Sequence, residues 1–595
     1  MTTIMSRRDL DFLLHEWLGT DELLARPRFA DHSRDTVDAV LDLAEQVATT
    51  AFAPHNRLSD LNEPTYDGTR VTVIPEVGIA LRAFADAGFL SASVAAPGES
   101  PLPASVTAAC MSWFQAANAG TSAYAMLTMA AANLLRTHGS AEQVERYAVP
   151  MSDGRWFGTM MLSEPHAGSN LADITTRAEP QGDGTYRLFG RKMWISAGDH
   201  ELAENIVHLV LARTPGAPEG TKGISLFLVP KVLVHDDGSL GERNDITLAG
   251  INHKMGYRGT VNTAPVLGDG ASTPGGSPGA IGYLVGAENR GMALMFSMMN
   301  EARIGVGLCA AAIGYTGYLE SLAYARDRLQ GRPIGAAPTS PQVPLVDHPD
   351  VRRMLLAQKS YVEGALALVL LAARLYDDSE TAADTSERED AGALLGLLTP
   401  IVKSWPSQYG PAANDLAIQV LGGAGYTRDF DVEQHYRDNR LNAIHEGTHG
   451  IQALDLLGRK VMLDGGTSLG LLVARIHASA DRARTTGDDG ALLADRLTAA
   501  CGDLVATTAQ LAALGDPARM LADATAYLEA TGHVVVAWVW LDQWLAAQGK
   551  AGHFYDGKRA AATFFLTREL PKVGPMLALL RDADGLTLGL DPHVL

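Results

Sequence analysis

Residues 291–329 read GMALMFSMMNEARIGVGLCAAAIGYTGYLESLAYARDRL, and this stretch decides the architecture. Its apolar residues recur at spacings of three and four for long enough to predict a helix of many turns. The internal glycines cost only about 1 kcal/mol each against alanine. Just before it, from about 157 to 275, the pattern is shorter: YRLFGRKMWIS (186–196), ENIVHLVLAR (204–213) and KGISLFLVP (222–230), bounded by Gly, Asp and Pro. These predict an all-β domain. GDGASTPGGSPGAIG (268–282) is rich enough in Gly and Pro to predict loop throughout. Further upstream, LDLAEQVATTAF (41–52) and VGIALRAFADAGFL (77–90) predict helices punctuated by Gly88 and Pro97.

Downstream, a loop GRPIGAAPTSPQVPLVDHPD (331–350) precedes two helical stretches flanking DDSETAADTSERED (377–390), an acidic linker expected to be solvated. From about 466 to the end a further helical unit is expected, with Asp516 and Pro517 as an N-cap and first-turn pair. The expected division is an N-terminal extension (1–36), a helical domain (37–156), a β domain (157–280), a helical bundle (281–464) and an additional helical domain (465–595).

The chain has 595 residues, 47% hydrophobic and 19% charged, so several cores are expected. Its net charge of -20 argues against bulk electrostatic binding to nucleic acid or anionic membrane. Cys110, Cys309 and Cys501 show no CxxC spacing, which predicts neither a disulfide framework nor a metal site and fits a reducing compartment. Residues 1–20 lack an apolar run with a small-residue cleavage site, so no secretory signal is expected. HVVVAWVWLDQWLAAQ (533–548) is short and interrupted by Asp542, which predicts a buried helix and no transmembrane span. No GxGxxG follows a strand; LGGAGY (421–426) reads as a helix-ending turn.

Six segments in series resemble the acyl-CoA dehydrogenase family: MMLSEPHAGSN (160–170), GRKMWIS (190–196), HKMGYRGT (253–260), GAENRGMALMF (286–296), IQVLGGAGY (418–426) and IHEGTHGIQ (444–452). The likeness runs from about 40 to 462. RRDLDFLLHEW (7–17) and the helical tail resemble the larger bacterial subgroup with an extra C-terminal helical domain. The resemblance implies an α+β multidomain fold: an N-terminal helical domain, a middle β-barrel or sandwich, a four-helix bundle and the extra domain.

It also implies FAD and an acyl-CoA substrate. Oxidising a saturated thioester needs a base for the α-proton, a hydride acceptor and donors to the thioester oxygen. Side chains accept hydride poorly, so a cofactor must. Glu446 in EGT matches the family base; read from its spacing alone, it could equally cap the helix that begins after it. Glu301 is the alternative base, but the matching position of that helix is Ala302, and one residue turns a helical side chain by about 100°. Glu301 is therefore expected to point elsewhere, into a salt bridge.

By resemblance, FAD contacts fall on Met161, Leu162 and Ser163, on Trp194 and Ser196, on Arg328, Gln330 and Gly331, on Gln419, Gly422 and Gly423, and on Thr448. RLQGR (328–332) lacks the aromatic and Lys of smaller members, and Gly450 stands where they have Gln. Substrate contacts fall on Ser169, on Asn300 and Arg303 as a polar pair near the CoA, and on Gly447; Asn300 stands where Asp is more usual. Arg258 reads as either structural or functional. The implied partners are an electron-transferring flavoprotein and a second copy, as a homodimer or dimer of dimers, in the cytoplasm or peripherally at a membrane. An oxidase passing electrons to oxygen would use the same base and flavin. A flavin-containing nucleic-acid-binding relative would need a basic C-terminal surface, and residues 466–595 are mixed in sign and slightly acidic.

Overall fold

The computed structural model describes residues 4–92 and 100–595. The chain forms two compact units. One comprises residues 38–102 and 113–302; the other comprises residues 1–37, 103–112 and 303–595. The boundary falls inside the helix Gly291–Asp327, which is the long helix of the deciding stretch.

The first unit is built on a nine-stranded sheet. Trp156–Met161 pairs in parallel with Asn205–Arg213, which pairs antiparallel with Ile224–Pro230. All three strands are almost entirely buried, which is why they read as continuous apolar runs and not as alternating ones. The helix Ala119–His138 packs on Trp156–Met161. Gly158 permits that approach: a Cβ there would sit 2.6 Å from that of Ala131. The core beneath holds Met161, Leu188, Val210, Phe227 and Val229.

Three local expectations shift. The glycine-rich stretch is loop only to Gly279; Ala280–Leu284 is a strand pairing with Tyr186–Arg191 and Ile224–Pro230, since its alternate residues can bury. The N-terminal helical region carries a small hairpin, Thr65–Tyr66 with Val71–Thr72. The helix from Pro75 ends at Asp86, and Gly88 leaves it at φ +81°. Pro97 lies outside the described residues.

The second unit is helical. Pro349–Thr381 and Thr385–Leu421 pack along each other. The acidic linker shrinks to residues 382–384, with Asp384 capping the second helix through the N–H of Ser386. Asp377, expected in solvent, is buried: its carboxylate accepts from Ala104 N (2.7 Å), Ser105 N (3.0 Å) and Ser105 Oγ (2.8 Å). A helix N-terminus offers unpaired N–H groups, and one acid of the run satisfies them. Pro349–Thr381 is also long and apolar enough to cross a membrane by length and composition, and 83% of its most apolar window is buried within the protein.

The tail supplies Thr467–Arg484, Asp488–Ala512, Ala524–Ala546, His553–Phe564 and Val573–Asp582, all in the same unit as the bundle. Asp516 caps the short helix from Pro517, as its sequence predicts. Residues 533–546 lie in Ala524–Ala546 and are largely buried.

Candidate active site

Glu446 lies in the turn before helix His449–Asp455. Its backbone is left-handed, φ +53°, a conformation that costs a residue with a Cβ about 1–3 kcal/mol. Neighbouring groups hold it there. Gln452 Nε2 donates to the Glu446 carbonyl (3.0 Å), and Lys403 Nζ donates to the Gly447 carbonyl (2.6 Å). Gly447 follows at φ +88°, and a Cβ on it would meet Gln452 Nε2 at 2.6 Å. Thr448 then caps the helix, its Oγ1 accepting from Ile451 N. The cap expected of Glu446 on the bland reading is thus made by Thr448, which leaves the carboxylate for other work.

Among the described residues none hydrogen-bonds the Glu446 carboxylate. Burial pushes its pKa up, with Lys403 and Arg303 pulling it back. Burial also draws Lys403 down to about 7, against the pull of Glu446. His445 and His449 are held at about 3 and about 4 by burial and by Lys403, so both are neutral at physiological pH. Arg303 is 3% exposed and pairs with Asp455 at 3.2 Å. It is turned inward, and its charge acts on Glu446. The side chain of Asn300 lies outside the described residues. Glu301 accepts from Asn133 Nδ2 (3.0 Å), so its partner is an amide and not the expected cation; Ala302 is buried.

In the β unit, Met161 is part of the core and 0% exposed. Met193 N donates to Ser163 O (3.0 Å), setting the segments 161–163 and 194–196 side by side. A buried pair lies beneath them: Lys192 Nζ donates to Glu164 Oε1 (3.1 Å), Leu162 O (3.1 Å) and Leu211 O (2.8 Å). Trp194 stands above at φ +64°, 63% exposed. Ser196 is half-buried, its Oγ near Asn262 Nδ2 (3.3 Å). Leu162 is half-buried and Ser169 exposed. Arg258 is structural: it donates to Lys254 O (3.1 Å) and lies 3.7 Å from Asp60.

Elsewhere in the helical unit, Arg328 and Gln330 are exposed on a loop tied by Leu345 N to Arg328 O (2.9 Å) and Gln330 N to Val343 O (3.0 Å). Gly331 is left-handed there, φ +70°. Gln419, Gly422 and Gly423 are exposed at the end of Thr385–Leu421, where Gly422 takes φ +62°, ψ -134°, open to glycine alone. Gly450 is exposed in the first turn after Thr448.

Residues 159–269 match the acyl-CoA dehydrogenase middle domain and residues 289–462 the acyl-CoA dehydrogenase C-terminal domain. Residues 472–591 match a domain described as acetyl-CoA dehydrogenase C-terminal like. The chain belongs to the acyl-CoA dehydrogenase family, and to those members that carry the extra C-terminal domain. It is 35% identical to the 3-methylmercaptopropionyl-CoA dehydrogenase of Ruegeria pomeroyi over 95% of each chain. It is 34% identical to the broad-specificity linear acyl-CoA dehydrogenase FadE5 of Mycobacterium tuberculosis, covering 98% of each. An acyl-CoA dehydrogenase from Bacillus anthracis solved with FAD shares the fold, with a TM-score of 0.74 at 18% identity, covering 98% of this chain and 93% of that one.

The cofactor of the family is FAD, and the residues present fit it. An indole held out on a left-handed backbone offers a flat apolar face to a planar ring. The half-buried Leu162 and Ser163 lie beside it, Ser163 O accepting from Met193 N (3.0 Å). When bound, FAD supplies the acceptor for the hydride that leaves the β-carbon.

Sequence reasoning missed Lys403, Gln452 and the pair Glu164–Lys192. For Lys403 a signal existed: it is a lone cation inside the apolar run LLGLLTPIVKSW (394–405), on the face that buries.

Proposed function

We propose that this enzyme removes the α-proton of a straight-chain fatty acyl-CoA through Glu446, with the β-hydride going to FAD, and yields the trans-2-enoyl-CoA. The electrons leave to an electron-transferring flavoprotein. The observation that carries the reading is the carboxylate of Glu446: buried enough to be basic, free of hydrogen bonds among the described residues, and fixed by a strained turn. A base poised nearer neutrality than free glutamate suits α-proton removal. The two curated relatives act, by their names, on a sulfur-containing acyl-CoA and on linear acyl-CoAs, which supports an acyl chain without branching.

The remaining roles are carried over from the family resemblance. By that resemblance Ser163 and Trp194–Ser196 are flavin-ring contacts of the β unit; in the helical unit Gln419, Gly422 and Gly423 are contacts to the adenosine half of FAD, Thr448 is a further FAD contact, and Arg328 with Gln330 meets the diphosphate of a second copy. Ser169 and Gly447 face the substrate. A reducing, cytoplasmic setting is consistent with three buried free thiols.

Glu446→Gln tests the reading. The variant should keep its yellow FAD but lose bleaching of the flavin by acyl-CoA by about 10³-fold or more. Bleaching at the native rate would remove Glu446 from the mechanism. Hydrogen peroxide released from acyl-CoA in air, without an added acceptor, would assign the electrons to oxygen instead.

A further inference from the structure

Lys403 lies mid-way along Thr385–Leu421, in a helix interrupted by Pro400, Pro406 and Pro411. Its side chain has no exposure. Buried lysines ordinarily pair with a carboxylate, because an ammonium taken out of water costs several kcal/mol. Among the described residues no carboxylate stands within ion-pair distance of this one; its hydrogen-bond acceptor is a backbone carbonyl, that of Gly447. The contrast within the same chain is sharp. Lys192 satisfies all three N–H groups and pairs with Glu164, and Lys558 lies between Asp9 and Glu363. A buried cation with so little compensation needs a reason, and the carbonyl it holds belongs to the residue after Glu446.

We infer that Lys403 is a positioning residue for the base: it pins the left-handed turn that aims Glu446 and keeps a positive charge beside the carboxylate. The inference rests on Glu446 being the base. Two separable effects follow. The hydrogen bond to Gly447 O, with that from Gln452 to Glu446 O, holds φ +53° at Glu446 against its steric cost. The charge opposes the effect of burial and so favours the ionised carboxylate, the form able to accept a proton. Once Glu446 has taken the α-proton it is neutral, and the guanidinium of Arg303, paired with Asp455, remains beside it. The other charged or titratable groups around this pair are Arg303 with its partner Asp455 and neighbour Arg459, His445 and His449 beside Lys403, and Arg440 and Glu529 acting on His449.

The test uses the full-length FAD-loaded enzyme, with anaerobic flavin bleaching by butyryl-CoA as the readout across pH 5.5–9. Lys403→Met removes both the bond and the charge. Lys403→Gln keeps an N–H donor, one bond shorter, and removes the charge. A cation beside a carboxylate lowers its pKa by about 1–3 units. Both variants should therefore move the acid limb of the bleaching rate upward by about 1–2 pH units. At pH values below both limbs that is a loss of about ten- to a hundredfold. Above the shifted limb the Gln variant should return to within about threefold of the native rate, and the Met variant should stay lower because its turn is no longer pinned. FAD content should match the native protein, and thermal stability should hold or rise, since a buried charge has been removed.

Acid limbs in both variants that superimpose on the native one would overturn the inference. So would a rate loss that follows loss of FAD or of folded protein in equal measure. If the Met variant fails to fold, the Gln variant carries the test, because the shift of its acid limb needs only the charge. Glu446→Gln in parallel separates the two readings. An active Glu446→Gln refutes the base assignment itself, whereas an inactive one alongside unshifted Lys403 variants refutes only the role of Lys403.

Discussion

Replacing Lys192 by Met should destabilise the β unit by about 3–5 kcal/mol, the cost typical of removing one member of a buried ion pair. The structure sets up this outcome. Both side chains are sealed, at 0% and 1% exposure. Burial pushes Glu164 up, but Lys192 and the N–H and hydroxyl groups of Thr175 and Thr176 outweigh it and hold the carboxyl at about 2. Burial pulls Lys192 down to about 8 against the pull of Glu164. In linkage terms, a carboxyl depressed from 4.5 to about 2 contributes about 3 kcal/mol, present above pH 4.5 and lost as the pH falls toward 2. An ammonium depressed from 10.5 to about 8 subtracts a similar amount below pH 8, a penalty relieved as the pH rises from 8 to 10.5. At neutral pH the two nearly cancel, so the pair contributes placement more than net stability. Removing Lys192 alone leaves a buried carboxylate with four donors but no counter-charge. The assay is thermal unfolding followed by release of flavin fluorescence. At about 2–4 °C per kcal/mol for a unit of this size, the midpoint should fall by about 10 °C. Glu164→Gln combined with Lys192→Met should recover most of that fall. A single variant within about 2 °C of native, or a double variant no better than the single, would refute the reasoning.

Gly447→Ala places a Cβ 2.6 Å from Gln452 Nε2 at a left-handed φ of +88°. It should cut the bleaching rate by about 10²-fold, the scale of a roughly 1 Å misplacement, with FAD content unchanged; a native rate would mean the turn tolerates movement. Asp377→Ala strips three hydrogen bonds from the start of helix Ala104–Ala117 and should lower stability by about 1–3 kcal/mol. Urea unfolding followed by circular dichroism checks it, and an unmoved midpoint would show the cap to be dispensable.

The architecture was legible where periodicity is long. Residues 291–329 announced their helix, and the uninterrupted apolar runs 205–213 and 224–230 announced strands buried on both faces. It was not legible where one residue departs from its neighbours' chemistry. DDSETAADTSERED reads as solvated because most of it is, and the burial of Asp377 depends on a helix start more than 270 positions earlier in the chain. Ala280–Leu284 was hidden by the glycines before it. Glu446 is singled out by resemblance, since its spacing alone also suits a cap; the cap of that helix is made by Thr448. Lys403 and Lys192 were unread because periodicity marks apolar residues on a buried face and is blind to a cation placed among them.

The tail helices also bear on the site, through the helix that carries Lys403. Along Thr385–Leu421, Tyr409 donates to Glu529 (2.6 Å), and Trp405 stacks on Tyr409 and meets the ring of His533 edge-on. On the neighbouring helix Pro349–Thr381, Tyr361 donates to Glu569 (2.8 Å), and the carbonyl of Ser360 accepts from Trp540 Nε1 (2.9 Å). Helix Ala524–Ala546 packs against His449–Asp455, the helix that follows the base. Three prolines have removed backbone N–H donors from the Lys403 helix, so its rigidity must come from side-chain packing. The added domain supplies that packing with buried aromatic contacts and hydrogen-bonded glutamates. A loosened helix could not hold Lys403 at a fixed distance from the Gly447 carbonyl, so the tail is better understood as the wall against which the Glu446 turn is braced than as an appendage.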